Sequence, residues 1–374
     1  MSLAGYAGYA GYAGYAGYAG YAGYAGYAGY AGYAGYAGLG SLAAGTSPIV
    51  ADALIRSRDA LHDPNDALMP WDPPKLPATF FPASATLTDD RLWRCDPHIR
   101  SMLIDQELKQ LLAFKSTPAA ESLSLSSRTG RKAGIATLIR PGRPVFEAQL
   151  ALVQSWATRR EERLTEILVQ AAPQVPFWAS VLHLVPDRHR FTFELIEAAL
   201  RFTVSIVMRF KLEFACPRPS EYSPNVQPMM QVPGYTAYPS GHATESAVVA
   251  HLLLALTGQK VDSPLGVQLL TLADRIAGNR VVAGLHFPVD SAAGYWLGNA
   301  LAGYFVALST VKQGWKSVRF DGAAWDGADD WDGARRQSGT CGTQAAASSP
   351  DVAPLLALLW ERAQDEHRHS GFSV

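Results

Sequence analysis

The apolar positions of this chain recur mostly at helical spacing. Leu103, Leu108, Leu111 and Leu112 share one register over 101–115. Phe146, Leu150, Leu152, Val153 and Trp156 open a long helix over 144–172, in which the charged run 159–163 reads as a solvated face. A short apolar piece covers 176–185, and a second long helix 187–215. Further helices are predicted after Ser240 (Ala247, Val248, Val249, Leu252, Leu253, Leu254), over 262–282, over 291–311 and over 352–367. Period-two alternation is nearly absent, so the pattern predicts an all-α helical bundle. The uncharged stretch 291–311 has the length of a bilayer span. With Asn299 and several glycines in it, it reads instead as the central helix of the bundle.

The intervening stretches have other characters. Residues 4–38 are Ala-Gly-Tyr triplets with tyrosine at every third position. Glycine at that density opposes a helix, no proline supports a collagen-like strand, and no basic start marks a signal peptide. A low-complexity, disordered tail is the expectation. A small-residue linker (39–50), a short helix (51–62) and a proline-rich stretch (63–87) follow. Residues 116–142, with Arg128, Arg131, Lys132 and Arg140, read as a serine-rich, basic, solvated loop. Residues 316–349 read as a flexible polar insertion in which Trp325, Asp326 and Gly327 recur as Trp331, Asp332 and Gly333. The spacing of Asp321, Asp326, Asp329, Asp330 and Asp332 matches no EF-hand calcium loop. The expected organisation is a tail and linker (1–50), a helical domain (51–315), and an insertion with a last helix (316–374).

Composition narrows the function classes. A net charge of −1 points to neither nucleic acid nor an anionic membrane surface. The 3 cysteines, Cys95, Cys216 and Cys341, form neither a disulfide framework nor a zinc spacing. A soluble, cytoplasmic protein that does not span a membrane is the expectation.

The chemistry concentrates in three blocks: 211–219 (KLEFACPRP), 238–244 (YPSGHAT) and 279–290 (NRVVAGLHFPVD). Lys211 is placed near a helix C-terminus and Arg218 on the loop leaving it, because Pro217 and Pro219 break the helix. Ser240 suits an N-cap, and with Gly241 it offers a hydroxyl and an unobstructed amide at a helix start, where anions are attracted. His242 is placed to exchange a proton with a bound group. Arg280 supplies a two-pronged donor. Pro288 suits a first helical turn, which places Asp290 a turn beyond His286. Three buried cations make sense only around an anion. A tetrahedral or trigonal-bipyramidal oxyanion is the natural occupant.

Lys, six residues, Arg-Pro; then Pro-Ser-Gly-His; then Arg, five residues, His, three residues, Asp: this order resembles the signature of the superfamily joining type 2 phosphatidic acid phosphatases, bacterial acid phosphatases and vanadium-dependent haloperoxidases. The resemblance covers about 80 residues and implies a helical bundle of that type. It further implies that Lys211, Arg218, Ser240, Gly241 and Arg280 hold the oxyanion, that His242 is the acid/base, and that Asp290 is a structural partner of the site. His286 would be the phosphate-accepting nucleophile, with no cofactor, or the axial ligand of vanadate. The substrates implied are a phosphoester, or a halide and hydrogen peroxide. Asn279 stands where the superfamily often has serine, keeping a hydrogen-bonding side chain. The phrase 237–244 (AYPSGHAT), with Glu213 and Phe214, looks more like the haloperoxidase branch, whereas Met208 stands where a chloroperoxidase-like site would have tryptophan. The reading favours the haloperoxidase narrowly and keeps a phosphomonoester or lipid-phosphate hydrolase as the alternative. A non-catalytic oxyanion-binding or adhesion protein is a third reading, against which the two imidazoles argue.

Overall fold

Three long helices pack together and their ends frame one polar site; the first and third are apolar and largely buried, and the second turns one side of its first half to solvent. In the computed structural model they are Gly241–Leu256, Pro264–Val282 and Pro288–Ser309. The described residues are 89–374 without 118–120, 129–132, 172–173, 311–313, 332–340, 349–350 and 369–374, together with Asp52, Arg56 and Ser57. The chain divides into two units, Met1–Thr88 and Asp89–Val374, and every element below belongs to the second. The Ala-Gly-Tyr tail, the linker and the proline-rich stretch lie outside the described residues. So does the helix expected over 51–62, except Asp52, Arg56 and Ser57, which are helical.

In order, the elements are α1 (Asp89–Trp93), α2 (Pro97–Gln110), β1 (Leu112–Ser116), β2 (Ser122–Ser127), β3 (Gly134–Ile139), α3 (Arg143–Trp156), α4 (Arg160–Val169), α5 (Val175–Leu182), α6 (Arg190–Phe214), α7 (Pro219–Tyr222), α8 (Gly241–Leu256), α9 (Pro264–Val282), α10 (Pro288–Ser309), β4 (Gly314–Asp321), β5 (Gly342–Ser348) and α11 (Pro354–His367). The helix expected over 144–172 is broken between α3 and α4 by a 3-10 turn, Ala157–Arg159.

The all-α expectation is corrected by a five-stranded mixed sheet, ordered β1-β2-β3-β4-β5. All neighbours are antiparallel except β3 and β4, which pair in parallel with Ala136 opposite Val318. β2 is the serine-leucine run of the expected basic loop. Its Leu123 and Leu125 face inward while the intervening serines lie nearer solvent. β4 and β5 lie within the expected flexible insertion. Leu138, Val318 and Phe320 bury the inner face of the sheet, which packs on α10. Tyr304 and Trp315 meet edge to face at 4.9 Å. The first Trp-Asp-Gly copy is ordered too, with Trp325 against Phe320 at 5.9 Å. In the second copy Trp331 is buried beside Tyr295, and Asp332 and Gly333 lie outside the described residues. Asp330 accepts the Trp156 indole N–H at 2.8 Å, and among the described residues no acidic or imidazole cluster could hold a metal ion.

Two glycines let α10 approach the start of α8. A Cβ on Gly294 would stand 2.6 Å from the Ser240 carbonyl, and one on Gly298 would stand 2.5 Å from the Thr244 carbonyl. No described helix is long and apolar enough to cross a membrane. The stretch 291–311 falls mainly in α10, buried between α8 and the sheet.

Candidate active site

Each block is held at a helix end for a local reason. α6 stops where Ala215 turns left-handed (φ 49°), and its amide returns to the Lys211 carbonyl. That leaves Lys211 in the last turn and sends Arg218 to the start of α7, where Glu221 accepts the Arg218 amide at 2.6 Å. Ser240 is the N-cap of α8, with its hydroxyl 3.5 Å from the Ala243 amide. Pro288 opens α10, and Asp290 accepts the Phe287 amide at 2.9 Å. The Ser240 amide donates to the Asp290 carbonyl at 2.9 Å, which ties the second block to the third.

Lys211, Arg218 and Arg280 are each 1% exposed, so they are removed from water together. A strap of carbonyls at 235–237 aims the first two. Lys211 Nζ donates to Thr236 and Ala237. Arg218 Nε donates to Tyr235 at 2.9 Å and its NH2 to Thr236 at 3.3 Å. The Tyr235 ring lies 5.4 Å from Lys211 Nζ and 5.2 Å from the Arg218 guanidinium. The strap is itself anchored: Tyr238 donates to the Ile139 carbonyl of β3 at 2.9 Å, and Thr236 to the Lys211 carbonyl at 2.6 Å. The sheet thus positions the cations, a role invisible in the three blocks.

Arg280 is held from the other side. Its NH2 donates to the Ile167 carbonyl at 2.9 Å and approaches Gln170 Oε1 at 3.5 Å. Its Nε is buried and meets no acceptor among the described residues. Gln170 is a hub that sequence reasoning missed. Its Oε1 accepts from Asn279 at 2.9 Å, and its carbonyl accepts the His242 Nε2–H at 2.9 Å. Asn279 also accepts from Arg163 at 3.1 Å, so its side chain braces α9 against α4. Part of the charged run 159–163 therefore packs inward: Arg160 donates to the Val282 carbonyl at 3.0 Å.

His286 Nδ1 lies 3.0 Å from Asp290 Oδ2, and its Nε2 lies 3.4 Å from Arg218 NH1. The carboxylate accepts a hydrogen bond from Nδ1–H, which leaves the lone pair on Nε2 toward the cations. Burial first, then Arg218, Lys211, His242 and Arg280, push the His286 pKa well down. The same forces act on His242, whose pKa burial and Arg280 push down to about 3. Burial lowers Arg280 to about 10. Lys211 is lowered well below its usual value by burial and Arg218, against Asp290 and Glu245. Burial raises the Asp290 carboxyl, opposed by the Phe287 amide, Lys211 and Arg218. Both imidazoles are neutral and crowded by positive charge, a field that an incoming anion would relieve.

Residues 194–314 match the family model of the PAP2 superfamily. The match covers about a third of the chain. The matched segment runs from α6 through α10 and contains all three blocks. A search of the curated proteins finds no match to the chain. Within the matched segment the structure brings Lys211, Arg218, Ser240, Gly241, His242, Arg280, His286 and Asp290 to adjoining helix ends. One more titratable side chain joins them that the motif reading passed over, Glu245 on α8. The available signal was its position, one turn after Gly241 on a helix carrying no other carboxylate.

Proposed function

We propose that this PAP2-superfamily domain hydrolyses phosphoric monoesters through covalent attack by His286. The observation that carries the reading is the His286–Asp290 pair: Nδ1 is occupied by the carboxylate at 3.0 Å and Nε2 faces Arg218. A neutral imidazole with its lone pair on Nε2 is a nucleophile ready to attack phosphorus. The unpartnered Arg280 Nε–H and the third Nζ–H of Lys211, two of whose protons go to carbonyls, are donors for equatorial oxygens. The α8 amides at Gly241 add the positive end of a helix.

In the first step the His286 Nε2–phosphorus bond forms as the ester oxygen leaves. The leaving oxygen needs a proton, which we assign to His242. Its Nε2–H is committed to the Gln170 carbonyl, so the transferable proton sits on Nδ1 of the imidazolium. The empty pocket holds His242 neutral. A bound dianion offsets Lys211, Arg218 and Arg280 and restores its basicity. In the second step a water attacks phosphorus, the bond to Nε2 breaks, and His242 takes the water proton.

A second reading is a vanadium-dependent haloperoxidase, favoured by the sequence 237–244 with Glu213 and Phe214. The donors suit vanadate as well as phosphate, since the buried Arg280 Nε–H needs an anionic oxygen of either. Lys211, Arg218, Ser240, Gly241 and Arg280 would hold its oxygens and His286 its metal. When bound, vanadate would supply activation of hydrogen peroxide toward a halide. We place the phosphatase first because the pocket is stocked with proton-exchanging groups, which a poor leaving group requires. The test is one assay pair on purified protein: phosphomonoester hydrolysis, and peroxide-dependent bromination with and without orthovanadate. Hydrolysis inhibited by orthovanadate supports the first reading. Bromination that depends on orthovanadate, without hydrolysis, supports the second.

A further inference from the structure

Glu245 is the acidic group in the pocket for which the mechanism above has no use. It lies three residues after His242 and four after Gly241, hence on the same face of α8. Its Oε1 stands 3.4 Å from where a Cβ on Gly241 would be, so the carboxyl folds back over the first turn of the helix. Lys211 from α6 and Arg280 from α9 are the charged groups that act on it. α10, packed on the same helix, contributes Asp290, which is turned to His286 and Phe287. No charge on α11 acts on it, and no hydrogen bond from a described residue reaches the carboxyl.

Resting on the oxyanion-pocket reading, we propose that Glu245 takes up a proton when the pocket fills and then donates that O–H into the pocket, matching the charge of the site to a dianion. The proton comes from solvent. No bond other than the carboxyl O–H forms, and the bound oxyanion keeps its own protonation state.

The reason is charge balance over a short distance. In the empty pocket the three cations Lys211, Arg218 and Arg280 stand against two carboxyls, Asp290 and Glu245. A dianion entering at Gly241 would meet an ionised Glu245 at the same helix start, with little water to screen the repulsion. Burial raises both carboxyls, each to about 7, so the difference between them is geometric. Asp290 Oδ2 accepts from His286 and from a backbone amide, contacts that favour its ionised form, and Glu245 has no such ties. Neutralising it turns a repelling group into a donor for the bound oxygens. Such a device would also favour a doubly charged, terminal phosphate over a diester, which brings one charge and relieves less.

The test uses the full chain and tungstate, an oxyanion that stays doubly charged near pH 8 and so contributes no proton of its own. Titration calorimetry at pH 8, in two buffers of different ionisation enthalpy, counts protons. The wild type is expected to take up about one proton per tungstate bound, and to lose affinity about tenfold per pH unit above pH 7. Glu245→Gln should bind with uptake near zero and a flat pH dependence, and Glu245→Ala should do the same if the amide disturbs folding. At pH 8 a His242 restored to its ordinary basicity stays neutral, so uptake near one proton that persists in both variants is not the carboxyl's and overturns the proposal. A folded Glu245→Gln protein that no longer binds also overturns it, because removing a negative charge should not weaken an anion. If the wild type does not bind tungstate at all, the pocket reading itself fails, which is a distinct result from binding without proton uptake.

Discussion

Asp290 Oδ2 accepts two N–H groups at once, His286 Nδ1–H at 3.0 Å and the Phe287 amide at 2.9 Å. One oxygen therefore starts α10 and sets the tautomer of the histidine before it. Helix capping and the orientation of the imidazole are one contact. Asp290→Asn keeps an acceptor for the amide but no longer draws the imidazole proton as strongly. Turnover of an aryl phosphate should fall about 10²–10⁴-fold with the melting temperature little changed. Asp290→Ala should lower both, since it leaves the amide and His286 without their buried partner.

His286→Ala should abolish turnover, because nothing else at these helix ends is placed to bond phosphorus. His242→Ala should separate substrates. The loss should be about 10²–10⁴-fold for an alkyl phosphate and much smaller for an aryl phosphate, whose leaving group needs little protonation. Steady-state rates on the two esters read the difference. Equal losses on both would remove His242 from the general-acid role.

Stability should record the His242 environment. Its folded pKa is depressed to about 3, against about 6.5 for an unperturbed histidine. Protons then bind the unfolded chain more readily than the folded one. The contribution is fully present above about pH 6.5 and is lost as the pH falls from there toward 3. Thermal melts of the wild type and His242→Gln should therefore keep a constant offset above pH 6.5, and the wild type should lose ground steadily below it. A constant offset down to pH 4 would show that the imidazole protonates freely in the fold.

Gln170 should matter more than its place outside the motifs implies. Gln170→Leu strands the Asn279 amide and removes a neighbour of Arg280. Denaturant unfolding should show a cost of about 1–3 kcal/mol for the buried donor left unpaired. The KM for the phosphoester should rise more than kcat falls, since Arg280 is assigned to holding the oxyanion.

Gly294→Ala tests the seam between α8 and α10. The added methyl would stand 2.6 Å from the Ser240 carbonyl and 2.9 Å from Ala243 Cβ, neither of which can yield without shifting a helix. A loss of about 1–3 kcal/mol is expected in urea unfolding. Activity should fall with it, because Ser240 and Gly241 would be displaced.

Much of the site was legible because it is written in local grammar. Ser240 as a helix start, Pro288 in a first turn with Asp290 one turn past His286, and the proline break after Lys211 are each decided within a few residues. The buried helix at 291–311 was legible for the same reason: an uncharged run of that length has no polar face to turn outward. The sheet was not. Ser122–Ser127 alternates over only six residues, and β3 pairs with β4 from far along the chain, Ala136 opposite Val318. Periodicity reports which face an element buries and carries nothing about so distant a partner.

By itself, then, the sequence determined the helix ends and the blocks they carry. Tertiary structure decided what surrounds them. The 235–237 carbonyls aim Lys211 and Arg218 only because Tyr238 is moored to β3. Gln170 reaches His242, Asn279 and Arg280 only because α4 packs beside α9. Glu245 becomes a pocket group only because Lys211 and Arg280 converge on its side of α8. Hydrogen-bond partners and desolvation are set by neighbours remote in the chain, and no local pattern encodes them.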